Sequence, residues 1–307
     1  MSLTLSHYLS IPKAWRPPLM VADGMGVDSL AMLIHLKRSG IRPDAILHAD
    51  TGDENAETVT YREERRRWLA EVGFPELTIV KRAPSKPGLR RDGTRGESYD
   101  TLSGNCLANA TLPSLAFGRK ACSVKWKVEP QNAWTDRWAP AIHAWASGRR
   151  VFKCIGYDAG PKDSRRAHDM KGDHEYAYLY PLRDLGWERE QCVAEILAEG
   201  LPLPRKSACK MCPANQPHEV AHLVQFHPSD ADLLVQIEAA AAPNLRGVEG
   251  LWRSTVKGVR GGVARPGSMT KFITELRADP AMLKRHLRLV DEAGRPLAAA
   301  VAAGLCS

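Results

Sequence analysis

The sequence predicts an α/β protein: a parallel sheet flanked by helices, then a mostly helical C-terminal region. Three observations carry this. From Pro18 to Val80 short apolar runs alternate with amphipathic stretches, turn-forming residues sit directly between strand and helix patterns, and after Tyr180 only helical patterns follow. Leu19-Met-Val-Ala-Asp23 reads as a buried strand. Val27 to Ser39 reads as a helix with Leu30, Leu33, Ile34 and Leu36 on its apolar face, and Ala45 to Asp50 as a second strand. Glu54 to Val72 is a long helix whose Glu63, Glu64, Arg65, Arg66 and Arg67 fall on what is most simply a solvated face. Leu77 to Val80 is a third strand. Strand and helix alternating at this spacing imply right-handed crossovers and parallel pairing. Residues 81–120 are rich in Pro and Gly and read as a long loop. A helix is expected from Lys125 to about Trp138, strands at Val151 to Gly156 and Tyr176 to Tyr180, and helices at Trp187 to Glu199 and His218 to Ala242. Met1 to Arg16 reads as an extension. The expected boundaries are thus 1–17, 18–186 and 187–307.

Composition narrows the class. With 307 residues, 44% hydrophobic and 25% charged, the chain is long enough for one large or two small cores, and it is not disordered, collagenous or a coiled coil. No stretch approaches the roughly 18 apolar residues of a membrane span, the nearest being the run from Leu297 to Leu305. The first basic residue is Lys13, and Pro12, Pro17 and Pro18 interrupt any apolar leader, so a soluble cytoplasmic protein is expected. Lys and Arg total 43 against 35 acidic residues, a formal +8 that favours anionic partners. Seven cysteines, an odd number without a secretory pattern, point to metal or redox chemistry rather than a disulfide framework.

The sharpest local signal is Gly24-Met-Gly-Val-Asp-Ser29, placed between a strand and a helix. Glycines there let backbone N–H groups approach an anion, and the helix N-terminus adds partial positive charge. A capped turn without ligand is the alternative. A Walker loop would need Gly-x-x-x-x-Gly-Lys-Ser/Thr, which is absent, and a dinucleotide loop wants glycine where Ser29 stands. His48-Ala-Asp-Thr-Gly-Asp-Glu54 ends the second strand, and in a parallel sheet ligands gather at such strand ends.

With these two motifs the chain resembles the PAPS (phosphoadenosine phosphosulfate) reductase-like branch of the adenine nucleotide alpha-hydrolase superfamily, whose pyrophosphate (PP) loop reads Ser-x-Gly-x-Asp-Ser before a strand ending Asp-Thr-Gly-x-Glu. The resemblance continues through Ala121-Cys-Ser-Val-Lys-Trp-Lys-Val-Glu-Pro130 and Ile155-Gly-Tyr-Asp-Ala-Gly-Pro-Lys-Asp-Ser-Arg-Arg166. It extends to Tyr180-Pro-Leu-Arg-Asp-Leu-Gly-Trp187 and Cys209-Lys-Met-Cys-Pro213, covering about Pro18 to Pro213. It implies a Rossmann-like (HUP-type) sheet and an adenine-nucleotide site. Gly24, Gly26, Val27, Asp28 and Ser29 would hold phosphates, and Asp50, Thr51, Gly52 and Glu54, with Gly156 and Lys125, would complete the nucleotide site. Asp28, Ser29, Arg165 and Arg166 would be catalytic, the arginines suiting phosphate or sulfate oxygens unless they are surface ion pairs. Lys127 is a similar candidate.

Two departures stand out. Many relatives carry Lys where Val27 stands, and the reductases' C-terminal Glu-Cys-Gly-x-His tail is replaced by Gly304-Leu-Cys-Ser307, so Cys306 lacks the neighbours that would activate it. Cys209 and Cys212 have metal-ligand spacing, and Cys122 falls where iron-sulfur relatives place a cluster ligand, with Cys106 or Cys154 as a fourth. Zinc, with His218 or His222, competes with a [4Fe-4S] cluster, and an unmetallated pair is the third option. Cys154 and Cys192 read as core residues. A basic stretch (Arg246, Arg253, Lys257, Arg260, Arg265, Lys271) could track a nucleic-acid backbone. The expected activity is cleavage of ATP, with Mg2+, to AMP and pyrophosphate, activating an acceptor for sulfur transfer. The acceptor would be a nucleic acid or a small molecule. The alternatives are a thiol-dependent sulfonucleotide reductase and an inactive nucleotide-responsive binding protein. No oligomeric state follows from the sequence.

Overall fold

Five apolar segments form one sheet in a computed structural model that describes residues 3–87, 96–169, 172–257, 264–289 and 291. Strands β1 (Leu19–Ala22), β2 (Ala45–Asp50), β3 (Leu77–Lys81), β4 (Val151–Ile155) and β5 (Tyr176–Leu179) lie in the order β3-β2-β1-β4-β5. β1 pairs in parallel with β2 and β4, and β4 in parallel with β5. The Rossmann-like parallel α/β class is therefore observed. A parallel sheet is covered on both faces, and the alternation of side chains shows it. Leu19, Val21, Ile46, Phe152 and Cys154 enter one core, while Met20, Ala45, Leu47, Val151 and Tyr176 enter another.

The chain moves outward from β1 to β2 and β3, then returns to the other side of β1 as β4. That reversal opens a crevice at the carboxyl ends of β1 and β4, the place where such sheets bind ligands. Helix α2 (Val27–Arg38) follows β1 and buries Val27, Leu30, Leu33 and Ile34 against the sheet.

Several sequence expectations are corrected. Residues 3–16 are not a bare extension. Thr4 caps helix α1 (Leu5–Ser10), whose Leu5 and Tyr8 are buried, with the Tyr8 ring 5.1 Å from that of Phe152. Arg65, on helix α3 (Ala56–Glu71), is not solvated but is among the most buried side chains, because Asp23 supplies a counter-charge inside. The helix expected from Lys125 begins at Ala121, passes through a π-helical turn at Val124–Val128 and continues as Glu129–Thr135. The helix expected over His218 to Ala242 is two, Pro217–Phe226 and Pro228–Ala241, because Pro228 has no N–H to continue the first. The long loop contains helix α4 (Leu102–Ala108), capped by Thr101.

The chain forms two compact units, neither a continuous stretch: Met1–Ala49, Ala56–Val80 and Glu129–Ser207 carry the sheet, and Asp50–Asn55, Lys81–Val128 and Ala208–Ser307 form the second. The linear boundaries at 17 and 186 do not correspond to these units. In the second unit Met211, Val220, Leu234, Trp252 and Phe272 share a core. Buried Glu238 ties its segments together by accepting from the N–H groups of Leu251, Met269 and Thr270 and from Ser268 Oγ. Among the described residues no helix is long and apolar enough to cross a membrane. Cys306, Arg260 and the run 297–305 lie outside the described residues.

Candidate functional site

In the sheet unit, the loop after β1 is built around a residue that sequence reasoning passed over. Asp23 Oδ1 accepts from Met25 N–H at 2.8 Å and from Ser29 Oγ at 2.8 Å, while its Oδ2 takes Arg65 Nη1 at 2.5 Å. Both side chains of this ion pair are fully buried. The Asp23 carbonyl also meets His48 Nδ1 at 3.0 Å. These bonds hold Met25 in the left-handed region, φ 58°, which a residue with a Cβ adopts only when its surroundings impose it. Ser29 Oγ additionally accepts from the Gly26 N–H at 3.2 Å. Its hydroxyl is thus engaged in shaping the turn. Val27, expected to bind phosphate, buries its side chain in the core and can offer only its backbone N–H, at the first position of α2.

The structure brings the end of β4 to the same turn. A Cβ on Gly156 would lie 2.9 Å from both the N and Cα of Ser29 and 3.0 Å from the Asp28 carbonyl carbon. Glycine is therefore required by close backbone approach. Asp28 pairs with Arg189 Nη1 at 2.8 Å; burial raises its pKa, Arg189 opposes this, and Asp158 and Asp163 add to it. Oxygens of Asp28, Asp158 and Asp163 lie within 4.8 Å of one another, the spread of a divalent-cation site, although each is already engaged. Asp163 holds Arg166 at 2.8 Å, and Asp158 accepts from the Gly160 N–H at 2.9 Å. Arg166 thus makes an i,i+3 ion pair, and exposed Arg165 donates to the Pro161 carbonyl at 3.3 Å. Neither expected catalytic arginine is held in a preformed anion clamp.

The second unit gathers the other candidates. The strand end Asp50–Asn55 runs against the Cys-x-x-Cys segment: Glu54 bridges to Cys209, and the Lys210 N–H donates to the Asp53 carbonyl at 2.8 Å. A turn closed by the Cys212 N–H on the Cys209 carbonyl at 2.9 Å sets the two thiols. Thr51 Oγ1 lies 3.1 Å from Cys209 Sγ and 3.3 Å from Glu54 Oε1. Asp50 accepts from the Gly52 N–H at 2.8 Å and faces Lys81 at 3.2 Å, and Gly52 (φ 78°) packs where a Cβ would strike Thr101.

Lys127 extends to Glu54, Nζ to Oε1 3.9 Å. Burial works against its charge, but Glu54 and the Cys209, Cys212 and Cys122 thiols outweigh burial, so its pKa is raised. Burial pushes the Cys209 thiol strongly up. The Glu54 side chain is fully buried, and its Oε2 has no hydrogen-bond partner. Cys122 is fixed through its N–H, which donates to Ser114 Oγ at 2.8 Å.

Cys106 is fully buried nearby, its pKa pushed to about 12 by burial and by Asp53 and Cys122. Cys154 and Cys192, buried in the sheet unit, are core residues as expected. Lys125 is exposed, its carbonyl accepting from Arg82 Nη1 at 3.1 Å. Of the basic stretch, Arg265 stacks on Trp252, 4.7 Å from the ring centroid.

The sheet unit thus combines a doubly covered parallel α/β sheet with a tight turn at its topological switch point, and in the second unit half-buried Lys127 lies within electrostatic reach of three cysteines. No family model matches the chain, and no curated protein matches it. The structure is similar to a phosphate complex of phosphoadenylyl-sulfate (PAPS) reductase from Candida auris, with 16% identity, a TM-score of 0.36, and 66% of this chain and 82% of that one covered. It is also similar to the U34-tRNA thiolase NcsA from Methanococcus maripaludis, solved with its [4Fe-4S] cluster, with 13% identity, a TM-score of 0.37, and 85% and 81% covered. At these values neither likeness carries a statement about this chain's ligands or reaction.

Proposed function

We propose that this chain is an adenine-nucleotide-dependent enzyme of sulfur transfer. The observation that carries the reading is in the second unit, where Cys209 and Cys212 share a turn, the Cys209, Cys212 and Cys122 thiols act electrostatically on Lys127, and Glu54 is a buried carboxylate with an unpartnered oxygen. Buried polar groups in folded proteins are satisfied, and an orphaned carboxylate oxygen among thiols fits a site completed by a ligand. The donor set suits a [4Fe-4S] cluster on Cys122, Cys209 and Cys212, with Cys106 as a possible fourth ligand; zinc is the competing metal. Held by Cys122, Cys209 and Cys212 alone, such a cluster would supply an iron free to bind sulfur, whereas Cys106 as fourth ligand would close it. Lys127 supplies positive charge that favours the thiolate form of the ligands.

In the sheet unit, the N–H groups at the start of α2 and the glycine-lined turn bind the nucleotide phosphates. Asp28, with Asp158 and Asp163, would hold Mg2+, which would free Arg189 and Arg166 to face the phosphates. An acceptor oxygen attacks the α-phosphorus of ATP, pyrophosphate leaves, and a sulfur nucleophile then displaces AMP from the adenylated acceptor. The protein's contribution is placement and charge stabilisation on the departing pyrophosphate.

The test is to incubate anaerobically purified protein with ATP, Mg2+ and candidate acceptors, following AMP and pyrophosphate. Their formation, abolished in Asp28→Ala, is the expected result. Sulfite release from a sulfonucleotide with a reductant would replace this reading with the reductase. Nucleotide binding with neither product would make the chain a binding protein. Visible charge-transfer absorbance lost in Cys209→Ser checks the cluster, and stoichiometric zinc in a colourless protein would overturn it.

A further inference from the structure

In the second unit, residues 111–128 carry Arg119, Lys120, Lys125 and Lys127 and no carboxylate. Lys127 reaches toward Glu54. Arg119, Lys120 and Lys125 are exposed, and among the described residues none of the three has an ion-pair partner. Two cations from elsewhere in the unit join them. A Cβ on Gly118 would lie 2.9 Å from Arg253 Nη1, which sets that exposed arginine beside the start of the stretch. Arg82 Nη1 donates to the Lys125 carbonyl at 3.1 Å, with its guanidinium over the Trp126 ring at 5.3 Å from the centroid. Positive charge is therefore concentrated around one turn, the turn that carries Cys122.

The centre of this face is aliphatic. Val124 is 50% exposed, and half-buried Cys122 opens, with Arg119, Ala121 and Lys125, onto a cavity of about 480 Å³. Cations around a small apolar contact make a polar rim and a centre that can be desolvated, the anatomy of a protein docking surface. Trp126, the ring of this turn, is buried beneath it, so the turn lacks the stacking platform that single-stranded nucleic acid uses. Charge and shape together favour an acidic protein.

We propose that this face docks an acidic one-electron carrier protein, which delivers an electron to the cluster at the edge formed by Cys122. Carboxylates of the carrier meet Arg119, Lys120 and Lys125, and an apolar side chain of the carrier covers Val124. One electron leaves the reduced carrier and enters the oxidised cluster, [4Fe-4S]2+ becoming [4Fe-4S]+, with no bond made or broken and no proton moved. Redox partners meet through small interfaces, where complementary charge sets the rate of encounter more than the affinity. The inference rests on the sulfur-transfer reading, with its cluster on Cys122, Cys209 and Cys212, and adds a partner to it.

The experiment mixes the full, anaerobically reconstituted chain with an acidic plant-type [2Fe-2S] ferredoxin. Binding is read by calorimetry with the oxidised ferredoxin, and electron delivery by the paramagnetic resonance signal of the [4Fe-4S]+ state after rapid freezing with the reduced one. The expected result is micromolar binding at low salt that weakens at about 0.15 M. Arg119→Glu and Lys120→Glu should each weaken it by roughly 3- to 10-fold and slow reduction in proportion, whereas Arg119→Lys should leave both unchanged. Absence of binding at low salt, binding without reduction, or unchanged affinity in both charge reversals overturns the proposal. Tighter binding of a single-stranded oligonucleotide than of ferredoxin, lowered by the same reversals, reassigns the face to nucleic acid and overturns it too. Iron content and AMP formation are measured in the same samples. Iron-loaded, AMP-forming protein that ferredoxin neither binds nor reduces removes the carrier and leaves the sulfur-transfer reading, whereas protein that holds no iron removes the cluster and with it the carrier's acceptor.

Discussion

The turn after β1 and the thiol cluster of the second unit both bury charge, but they treat it differently. In the turn, Asp23 and Arg65 are fully buried against each other, and the remaining Asp23 oxygen is filled by two loop donors. In the cluster, Glu54 is as deeply buried, yet it meets Lys127 only at 3.9 Å and keeps one oxygen unpartnered. A close buried ion pair fixes a shape more firmly than a carboxylate whose cation stands 3.9 Å away. The turn is therefore held by a close ion pair, although among the described residues Arg65 Nε and Nη2 are also without a hydrogen-bond partner, whereas the Glu54 carboxylate has no cation within hydrogen-bond distance.

The largest expected effect breaks the close ion pair. Arg65→Met strands the Asp23 carboxylate in the core, and urea unfolding should show a loss of about 3–5 kcal/mol. A smaller loss than that expected for Glu54→Gln, described below, would reverse the comparison. Next is a buried charge with no carboxylate beside it. Lys153 on β4 is 4% exposed, with Nζ 5.7 Å from the Tyr176 ring centroid, and burial lowers its pKa from 10.5 to about 8. The native state then binds fewer protons than the unfolded chain between these values, so stability rises with pH from about 8 to 10.5, and below 8 the full penalty of about 3 kcal/mol applies. Lys153→Met should be more stable at pH 7 by up to that amount and lose this pH dependence, which urea midpoints at pH 7 and pH 10 would check.

Gly156→Ala forces a Cβ against the backbone of Ser29 and Asp28, and should cost about 1–3 kcal/mol while weakening ATP binding in a calorimetric titration. Equal affinity in this variant would separate the turn from nucleotide binding. The smallest effect belongs to the Glu54–Lys127 pair. Because Lys127 is about one-third exposed and keeps contact with water, Glu54→Gln should change the stability of ligand-free protein by about 1 kcal/mol or less. The same variant should lower iron or zinc content after reconstitution, measured by elemental analysis.

Much of the sheet was legible because buried parallel strands are written as short apolar runs such as Leu19-Met-Val and Ala45-Ile-Leu, and Gly24 to Ser29 marks the turn through backbone chemistry that local sequence records. Asp23 was not legible. A carboxylate at the end of an apolar run looks like a strand terminus, and its partner Arg65 sits amid charged residues at helical spacing that resembles a solvated face. The only available signal was that Trp68 and Leu69 share its helix face. Cys154 and Cys192 were readable as core residues from their apolar surroundings. Arg166 was harder: its ion pair with Asp163 is an ordinary i,i+3 contact that the pattern Asp-Ser-Arg-Arg already permits.

By itself the sequence determined the strand and helix order, the strand-turn-helix at Gly24 to Ser29, and the candidate thiols, since periodicity, glycine placement and Cys-x-x-Cys spacing are local properties. Only the tertiary structure decided which charges are matched. It set Arg65 on Asp23 across 42 positions and Cys209 beside Thr51 across 158, and it carved the cavity beside Cys122 from α4 and the turns that follow. Such pairings depend on which groups are excluded from water together, and that is settled when distant segments pack.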